Sequence, residues 1–487
     1  LDPNRPLARS IGKAAAWLTD DLRRIATTTP IEAFSLRSGK PMQDANGHMG
    51  EAVAILDQVR ECSRSDAEVV FCTHAMLAIM QLSQWRFGPE PAVLIVDEAH
   101  LLEHAVATIN THAVSLYSLR VTLSRYVRSR GLGAGSAAKK AVKVANELQQ
   151  LIGNLEATGT QYTLSIDGPD KPHLYQRILE NVGALAKLLA SKGVETMPHA
   201  EHFREGLRKI HKGLGVTGEA RTDRVDVSYS PDRRYPSLQC GPSSVGPQLG
   251  SIWKEASEGV ALASATLYVM DAFGNTRGDY MRGLLALPWG RVDTPLPVVD
   301  PAIYRTPVLY TPSAAKCAML IPPSKEQDAE PWHAAVAASL ASVATSAAGG
   351  TLALCTAYRD IDALRLRLLA AHVPEDRVIA QQPNVKLSAT LDAFRAAHAK
   401  GLRPVMLGLG GAWTGIDLTD PSVPPERDNL LTDLVIVRMP VGLNRTNSAL
   451  ARIERSGTAS ISNEALLTFK QGLGRLIRRT GVTDRRI

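Results

Sequence analysis

The sequence predicts an α/β protein of two parallel-sheet lobes, the first interrupted by a largely helical module. Three observations predict it. Short β-branched or aliphatic runs lead straight into helical patterns at "AEVVFCTHAMLAIM" (67–80) and again at "AVLIVDEAHLLE" (92–103). Strands buried on both faces of a parallel sheet read this way, and such sheets carry their sites at the strand C-terminal ends. Helical spacing then dominates from 104 to 215, and a second set of strand-like runs appears at "GGTLALCTAY" (349–358), "RPVMLGLGGAW" (403–413) and "DLVIVRMP" (433–440).

Taken in order, residues 12–28 have the spacing of an amphipathic helix. The segment 67–80 reads as a strand entering a helix at Thr73-His74, with Cys72 on the strand. Within 104–215, "VATINTHAVSLYSLRVTLSRYVRSR", "AAKKAVKVANELQQLIGNL" and "LYQRILENVGALAKLLASK" read as helices, broken at "GLGAGS" and "SIDGPDKP". Pro and Gly crowd 228–249, which reads as a return loop, and "GVALASATL" (259–267) resumes the strand pattern. A Pro-rich connection from Pro288 to Pro312 precedes the second lobe. No solenoid-length repeat is present.

Length and composition bound the function. A chain of 487 residues is expected to form roughly two to four domains. With 45% hydrophobic and 21% charged residues it reads as ordered, and it has no run of about 18 apolar residues to span a membrane. No secretory signal pattern opens the chain, which starts at Leu1 rather than Met, so a preceding segment is expected. A net charge of +7 favours an anionic partner, nucleic acid first, against the alternative of a merely basic protein. Five cysteines, at 62, 72, 240, 317 and 355, form no C-x-x-C pair, which points to a reducing cytoplasm and to neither a zinc ribbon nor a disulfide framework.

Asp97 and Glu98 end an apolar strand, where ionised groups are costly unless paired. One acid holding Mg²⁺ while the other polarises an attacking water would justify both. Acids capping a helix N-terminus are the alternative. Downstream, Gln471, Gly474, Arg475 and Arg478 stand at Q-x-x-G-R-x-x-R spacing, which on a helix gathers an amide and two guanidiniums on one face. Such a face can clamp a γ-phosphate; a solvated basic helix end is the alternative.

The order DEAH (97–100), SAT (264–266), "GGAWTGID" (410–417) and "QGLGRLIR" (471–478) resembles the superfamily 2 helicases, and more narrowly the XPD/DinG branch. There a strand ending in a Thr/Asn-His element precedes DEAH, here Thr73-His74, and "LCTAYRDIDAL" (354–364) is similar to a further family motif. The resemblance implies two RecA-like motor domains, one of residues 1–103 and 221–290 and one of 291–487. It also implies a helical Arch-like insertion at 104–220 and a relic of an iron–sulfur region at about 30–65. It implies ATP and Mg²⁺, with Asp97 serving the metal and Glu98 activating water. Ser264 and Thr266 would couple nucleotide state to nucleic acid. His100, Gly415 and Asp417 would line the nucleotide cleft, with Gln471, Arg475 and Arg478 completing it from the second lobe.

Three departures qualify the resemblance. No G-x-x-x-x-G-K-[ST] occurs, so the phosphate loop is expected upstream of Leu1, and a C-terminal piece is expected beyond Ile487. Only Cys62 and Cys72 precede DEAH, so no iron–sulfur cluster is expected. Thr414 replaces a family acid. A cluster-free member most resembles the DinG-type accessory helicase of type IV CRISPR systems. From this follow a cytoplasmic monomer moving 5′ to 3′ on single-stranded DNA (RNA or an R-loop being the other candidate tracks) and a CRISPR effector complex as partner. A DinG-like repair helicase and a non-motor nucleic-acid-binding subunit are the competing readings.

Between His104 and Asn146 there is no acid, while Arg120, Arg125, Arg128, Arg130, Lys139, Lys140 and Lys143 all fall there. Such a run can follow phosphates, with Tyr117 and Tyr126 as base-stacking candidates and Thr73-His74 as a strand-contacting loop. Tyrosines packed inward beneath a solvated face are the alternative.

Overall fold

The computed structural model describes residues 71–83, 93–133, 135–153, 155, 161–164, 172–215, 222–229, 235–256, 258–264, 266–270, 276–288, 319–323, 329–441, 446–478, 482 and 485–487. The expected helix at 12–28, the segment 30–65, the first part of the strand at 67–80 and most of the Pro-rich connection lie outside these residues. The described chain falls into two units, one up to Leu94 with Ser251–Ala261, the other Ile95–Gly250 with Leu262–Ile487.

In the first unit, α1 (His74–Ser83) starts where the sequence places it. The Thr73 hydroxyl accepts the Met76 amide at 3.1 Å, satisfying a donor that a helix start leaves orphaned. Phe71–Thr73 is not a strand, contrary to expectation: Thr73 is committed to the cap and Phe71 stands 94% exposed.

β1 (Val93–Val96) carries the VLIV run and stops at Asp97. A 3₁₀ turn, Ala99–Leu101, then runs into α2 (Leu102–Ile109). The sequence reads 106–130 as one helical run, but the chain leaves the helix at Asn110. Asn110 Nδ2 donates to Val106 O and Thr111 Oγ1 to Ala107 O, both at 2.8 Å. These side chains take up carbonyls at the helix end and compete with its continuation. β2 (His112–Ser115) follows, then α3 (Leu116–Arg130), whose first turn is capped by the Ser115 hydroxyl.

The insertion continues through α4 (Ser136–Gly153), β3 (Gln161–Leu164), α5 (Pro172–Leu189) and α6 (Ala200–Gly215) to β4 (Asp223–Ser228) and β5 (Ser237–Pro242). Apolar stripes at 116, 119, 123, 126 and at 138, 141, 145, 148, 152 turn α3 and α4 into one core with the sheet. That sheet is antiparallel in the order β2-β5-β4-β3, with Val114 opposite Leu238 and Val227 opposite Leu238. The return loop expected over 228–249 is therefore corrected for its described residues: β5 occupies much of it and α7 (Gly246–Lys254) follows. Leu238 and Cys240 point inward with Gln239 between them, a period of two masked in the sequence by Pro236 and Pro242.

β6 (Gly259–Leu262) pairs with β1. The short hairpin strands β7 (Val269–Met270) and β8 (Thr276–Arg277) and the helix α8 (Asp279–Leu284) come next. After α9 (Ala329–Ser346) the second parallel sheet is built from β9 (Thr351–Leu354), α10 (Tyr358–Ala370), β10 (Val378–Ala380), α11 (Leu387–Ala399) and β11 (Val405–Gly408). The single turn α12 (Gly411–Thr414) and β12 (Asp433–Ile436) complete it. The strand order is β10-β11-β9-β12, all parallel. Alternation divides the core: Ala353, Val405 and Leu407 face α9 and α10, while Leu352, Leu354 and Met406 face Phe394 and Trp413. Gly350 is fixed by close approach, since a Cβ there would lie 2.3 Å from Leu430 O and 2.5 Å from the Phe394 ring. The helical hairpin α13 (Asn447–Ser456) and α14 (Thr458–Leu473) follows.

Tyr126, a base-stacking candidate in the sequence with inward packing as its alternative, is a core residue. It is 8% exposed, and its hydroxyl donates to Gly193 O and meets Thr196 Oγ1 at 2.8 Å. Tyr126→Phe should cost about 1 kcal/mol through the lost hydrogen bonds, and Tyr126→Ala about 3–5 kcal/mol through the cavity. Denaturant titration of both variants checks this, and a Tyr126→Ala midpoint equal to that of the unaltered chain would contradict it.

Candidate nucleotide-hydrolysis site

The strand end is closed by two backbone hydrogen bonds. Ala263 N donates to Val96 O at 2.9 Å, and Ala99 N to Ala263 O at 3.0 Å. They bring Ser264 beside Glu98 although 166 residues separate the two. Glu98 itself adopts φ 47° and ψ 45°, a left-handed conformation that costs a non-glycine residue about 1–2 kcal/mol. The reversal turns its carboxylate toward Ser264, whose hydroxyl donates to Glu98 Oε2 at 2.9 Å. Asp97 lies exposed with Oδ1 accepting the Glu98 amide at 2.9 Å.

His100 extends the chain. Its Nδ1 lies 2.9 Å from Ser264 Oγ and 3.4 Å from Glu98 Oε2, and its Nε2 meets the Gln471 amide nitrogen. Gln471 Nε2 also donates to Thr266 Oγ1 at 3.2 Å, and the Thr266 amide donates to Ser264 Oγ at 3.2 Å. One proton arrangement satisfies all of these contacts. The Gln471 amide donates to His100 Nε2, so the neutral imidazole carries its proton on Nδ1 and donates to Ser264, which donates to Glu98. A directional path thus runs from the end of α14 to the Glu98 carboxylate.

The two arginines are placed differently from the expectation. α14 ends at Leu473, Gly474 is its C-cap, and Arg475 and Arg478 lie beyond the helix rather than on its face. Gly474 itself stays right-handed at φ −63° and ψ −7°, and the helical pattern is lost at the next residue, whose amide turns to Gly472 O at 3.0 Å. Arg475 turns back to donate from Nε to Gln471 O at 3.0 Å and from Nη1 to Ile416 O at 2.9 Å. Arg478 Nη2 reaches the same carbonyl at 3.4 Å. The guanidiniums do converge, on the backbone beside Gly415 and Asp417. Asp417, exposed, accepts the Thr419 amide and hydroxyl at 3.1 and 2.9 Å. Trp413 supports this region from below: 1% exposed, it donates to Cys355 O at 2.8 Å and packs where a Cβ on Gly472 would come within 2.7 Å.

The structure therefore brings Glu98, His100, Ser264, Thr266 and Gln471 into one hydrogen-bonded set and gathers Arg475 and Arg478 at Ile416. Thr73 and His74 belong to the first unit, where Thr73 caps α1. Arg125 and Arg128 are exposed on α3, while Arg120 is half-buried with its guanidinium 5.5 Å from the Tyr117 ring. Among the described residues no group of three or more His, Cys, Asp or Glu could hold a metal. A Mg²⁺ held by one or two carboxylates together with substrate phosphates fits Asp97, whose exposed carboxylate offers hard oxygen donors. Sequence reasoning missed Glu103, a 2% exposed acid one turn past His100. Its only signal was an acid on the apolar face of α2.

Residues 340–483 match the helicase C-terminal domain family. No curated protein matches the chain in sequence. An XPD helicase structure is 15% identical with a TM-score of 0.52, the alignment covering 92% of this chain and 74% of that one. An apo XPD structure is 14% identical (TM-score 0.49, 81% and 71% covered), and the S. tokodaii Xpd4 structure 16% identical (TM-score 0.47, 88% and 75% covered). The first of these supports the fold class, α/β with parallel-sheet domains of the kind found in XPD helicases. No helix among the described residues is long and apolar enough to cross a membrane.

Ser264 is the crossing point of the set, touching Glu98, His100 and Thr266. Ser264→Ala should strand a mostly buried imidazole N–H and cost about 1–3 kcal/mol of stability. Thermal unfolding of the variant tests this. An unchanged midpoint would mean that the hydroxyl is dispensable to the set.

Proposed function

We propose that the protein is an ATP-dependent helicase or translocase moving 5′ to 3′ along single-stranded DNA, of the DinG-like kind that accompanies type IV CRISPR systems. The observation that carries the proposal is the hydrogen-bond path from Gln471, inside the helicase C-terminal match, to the Glu98 carboxylate. It joins the two sequence regions that must cooperate if hydrolysis is to depend on lobe closure.

In this reading Ser264 holds Glu98 Oε2, leaving Oε1 to orient the attacking water and take its proton. Asp97 would hold Mg²⁺, which when bound neutralises charge on the phosphates. Arg475 and Arg478, both resting on the neutral Ile416 carbonyl, carry donors that a phosphate oxygen would attract more strongly. No iron–sulfur cluster enters the proposal, because only Cys62 and Cys72 precede Asp97. The proposed partners are a single strand and, through it, a CRISPR effector complex, with the protein acting as a cytoplasmic monomer. Support for the strand comes from the exposed cations Arg125, Arg128, Lys139, Lys140 and Lys143 on α3 and α4.

Glu98→Gln keeps an oxygen to accept from Ser264 but cannot take a proton. Nucleotide binding should persist while strand-stimulated hydrolysis falls at least about a hundredfold. Steady-state phosphate release with parallel nucleotide titration measures both. Full turnover in this variant would remove Glu98 from the chemistry, and absence of hydrolysis by the unaltered protein would favour a non-motor strand-binding subunit.

Neutralising Arg125 and Arg128 should weaken binding evenly across sequences. Each lost phosphate contact should also flatten log K against log salt by about 0.7. Titrations of labelled oligonucleotides at three salt concentrations read this slope. A slope that does not change would place the strand elsewhere.

A further inference from the structure

A second set of buried polar groups lies beside the site and takes no part in the chemistry above. Glu103 Oε1 accepts from Ser448 Oγ at 2.6 Å and from Arg452 Nη1 at 3.1 Å, both on α13. Arg452 also pairs with Glu464 and donates to Ser460 Oγ at 3.3 Å, both on α14. Asn447, at the start of α13 and fully buried, donates from Nδ2 to Asp226 Oδ2 at 2.7 Å and to Arg224 O at 3.1 Å. Asp226, also fully buried, is held by Arg224 Nε at 2.8 Å, and the Arg224 guanidinium reaches on to Glu454 of α13. A glycine on β5 makes room, since a Cβ on Gly241 would lie 2.7 Å from Asn447 Oδ1.

These contacts form a closed frame. The segment from His100 to Glu103 is touched twice by the α13–α14 hairpin: Gln471 of α14 meets His100, and Ser448 and Arg452 of α13 meet Glu103. Arg452–Glu464 ties the two helices together. Seven residues, about two helical turns, separate Glu464 from Gln471. The depth at which Gln471 meets His100 is therefore registered by ionic hydrogen bonds that are either made or broken. Apolar surfaces can slide past one another, whereas a desolvated ion pair with fixed donors tolerates one register. Through Asn447 the same frame is fastened to β4 of the insertion.

We propose that Asn447, Ser448 and Arg452, with Glu103, Asp226 and Glu464 as their partners, are positioning residues that couple the insertion to the hydrolysis site by registering Gln471 on His100. The proposal rests on the helicase reading. It adds that a strand engaging the insertion changes turnover through α13 and α14.

Hydrolysis by the full chain with and without an oligothymidine strand, together with a melting curve for each variant, tests it. Asn447→Asp preserves shape but sets a second carboxylate against Asp226. Its basal rate should stay within about twofold while the stimulation by the strand falls about fivefold or more, the scale of a typical coupling between sites. Ser448→Ala is the milder variant and carries the test if Asn447→Asp does not fold; it should lower stimulation in the same direction. Basal and stimulated rates falling in equal proportion, or stimulation preserved in both variants, would overturn the coupling while leaving the helicase reading intact. Absence of stimulation in the unaltered protein would instead overturn that reading and the coupling with it.

Discussion

The left-handed turn at Glu98 is the constraint on which the rest of the site depends. A carboxylate pair at the end of an apolar strand would ordinarily splay into solvent. The positive φ at Glu98 turns one acid back under the strand end, where Ala263 has bridged Val96 and Ala99 and so delivered Ser264. With Ser264 in place, His100 has an acceptor for one ring nitrogen and Gln471 supplies a donor to the other. Each partner needs the one before it. That serial dependence explains why residues so far apart in the chain form one set.

Much of this was legible in the sequence, for physical reasons. Parallel strands buried on both faces must be uninterrupted apolar runs, so TLAL and VMLG announced themselves and were followed by the expected helices, whereas the equally apolar VLIV run forms a strand with Val93 and Ile95 exposed. Short acids, hydroxyls, an amide and guanidiniums in a fixed order suggested a site, and the structure brings Glu98, His100, Ser264, Thr266 and Gln471 together. Spacing alone could not foresee where α14 would stop. Gly474 falls within the motif, and the spacing says only that a helix would align the arginines, not that the helix persists.

The insertion was the harder part to read. Its helices have clear apolar stripes, but its four antiparallel strands are short and dispersed. β2 hides inside a stretch with helical spacing and β5 inside a Pro- and Gly-rich one. Its polar fastening to α13 left almost no mark in the sequence. A buried Asn447 or Asp226 looks like any surface residue until the partner strands are known, because the pattern encodes which faces are apolar and not which polar atoms will be covered. The basic run on α3 divides in the same way: Arg125 and Arg128 stay in solvent while Tyr126, one position from Arg125, is drawn into the core.

Trp413 gives the protein an optical gauge of its own. The indole is sealed between the end of β9, where the carbonyl of Cys355 just past the strand accepts its N–H, and the bare face of Gly472 beside Gln471. Its emission in this packing belongs at the blue end of the tryptophan range. Any movement that lifts the end of α14 from the sheet admits water to the ring and shifts that emission to the red. The position of the end of α14 against the sheet is thereby written into the emission of Trp413.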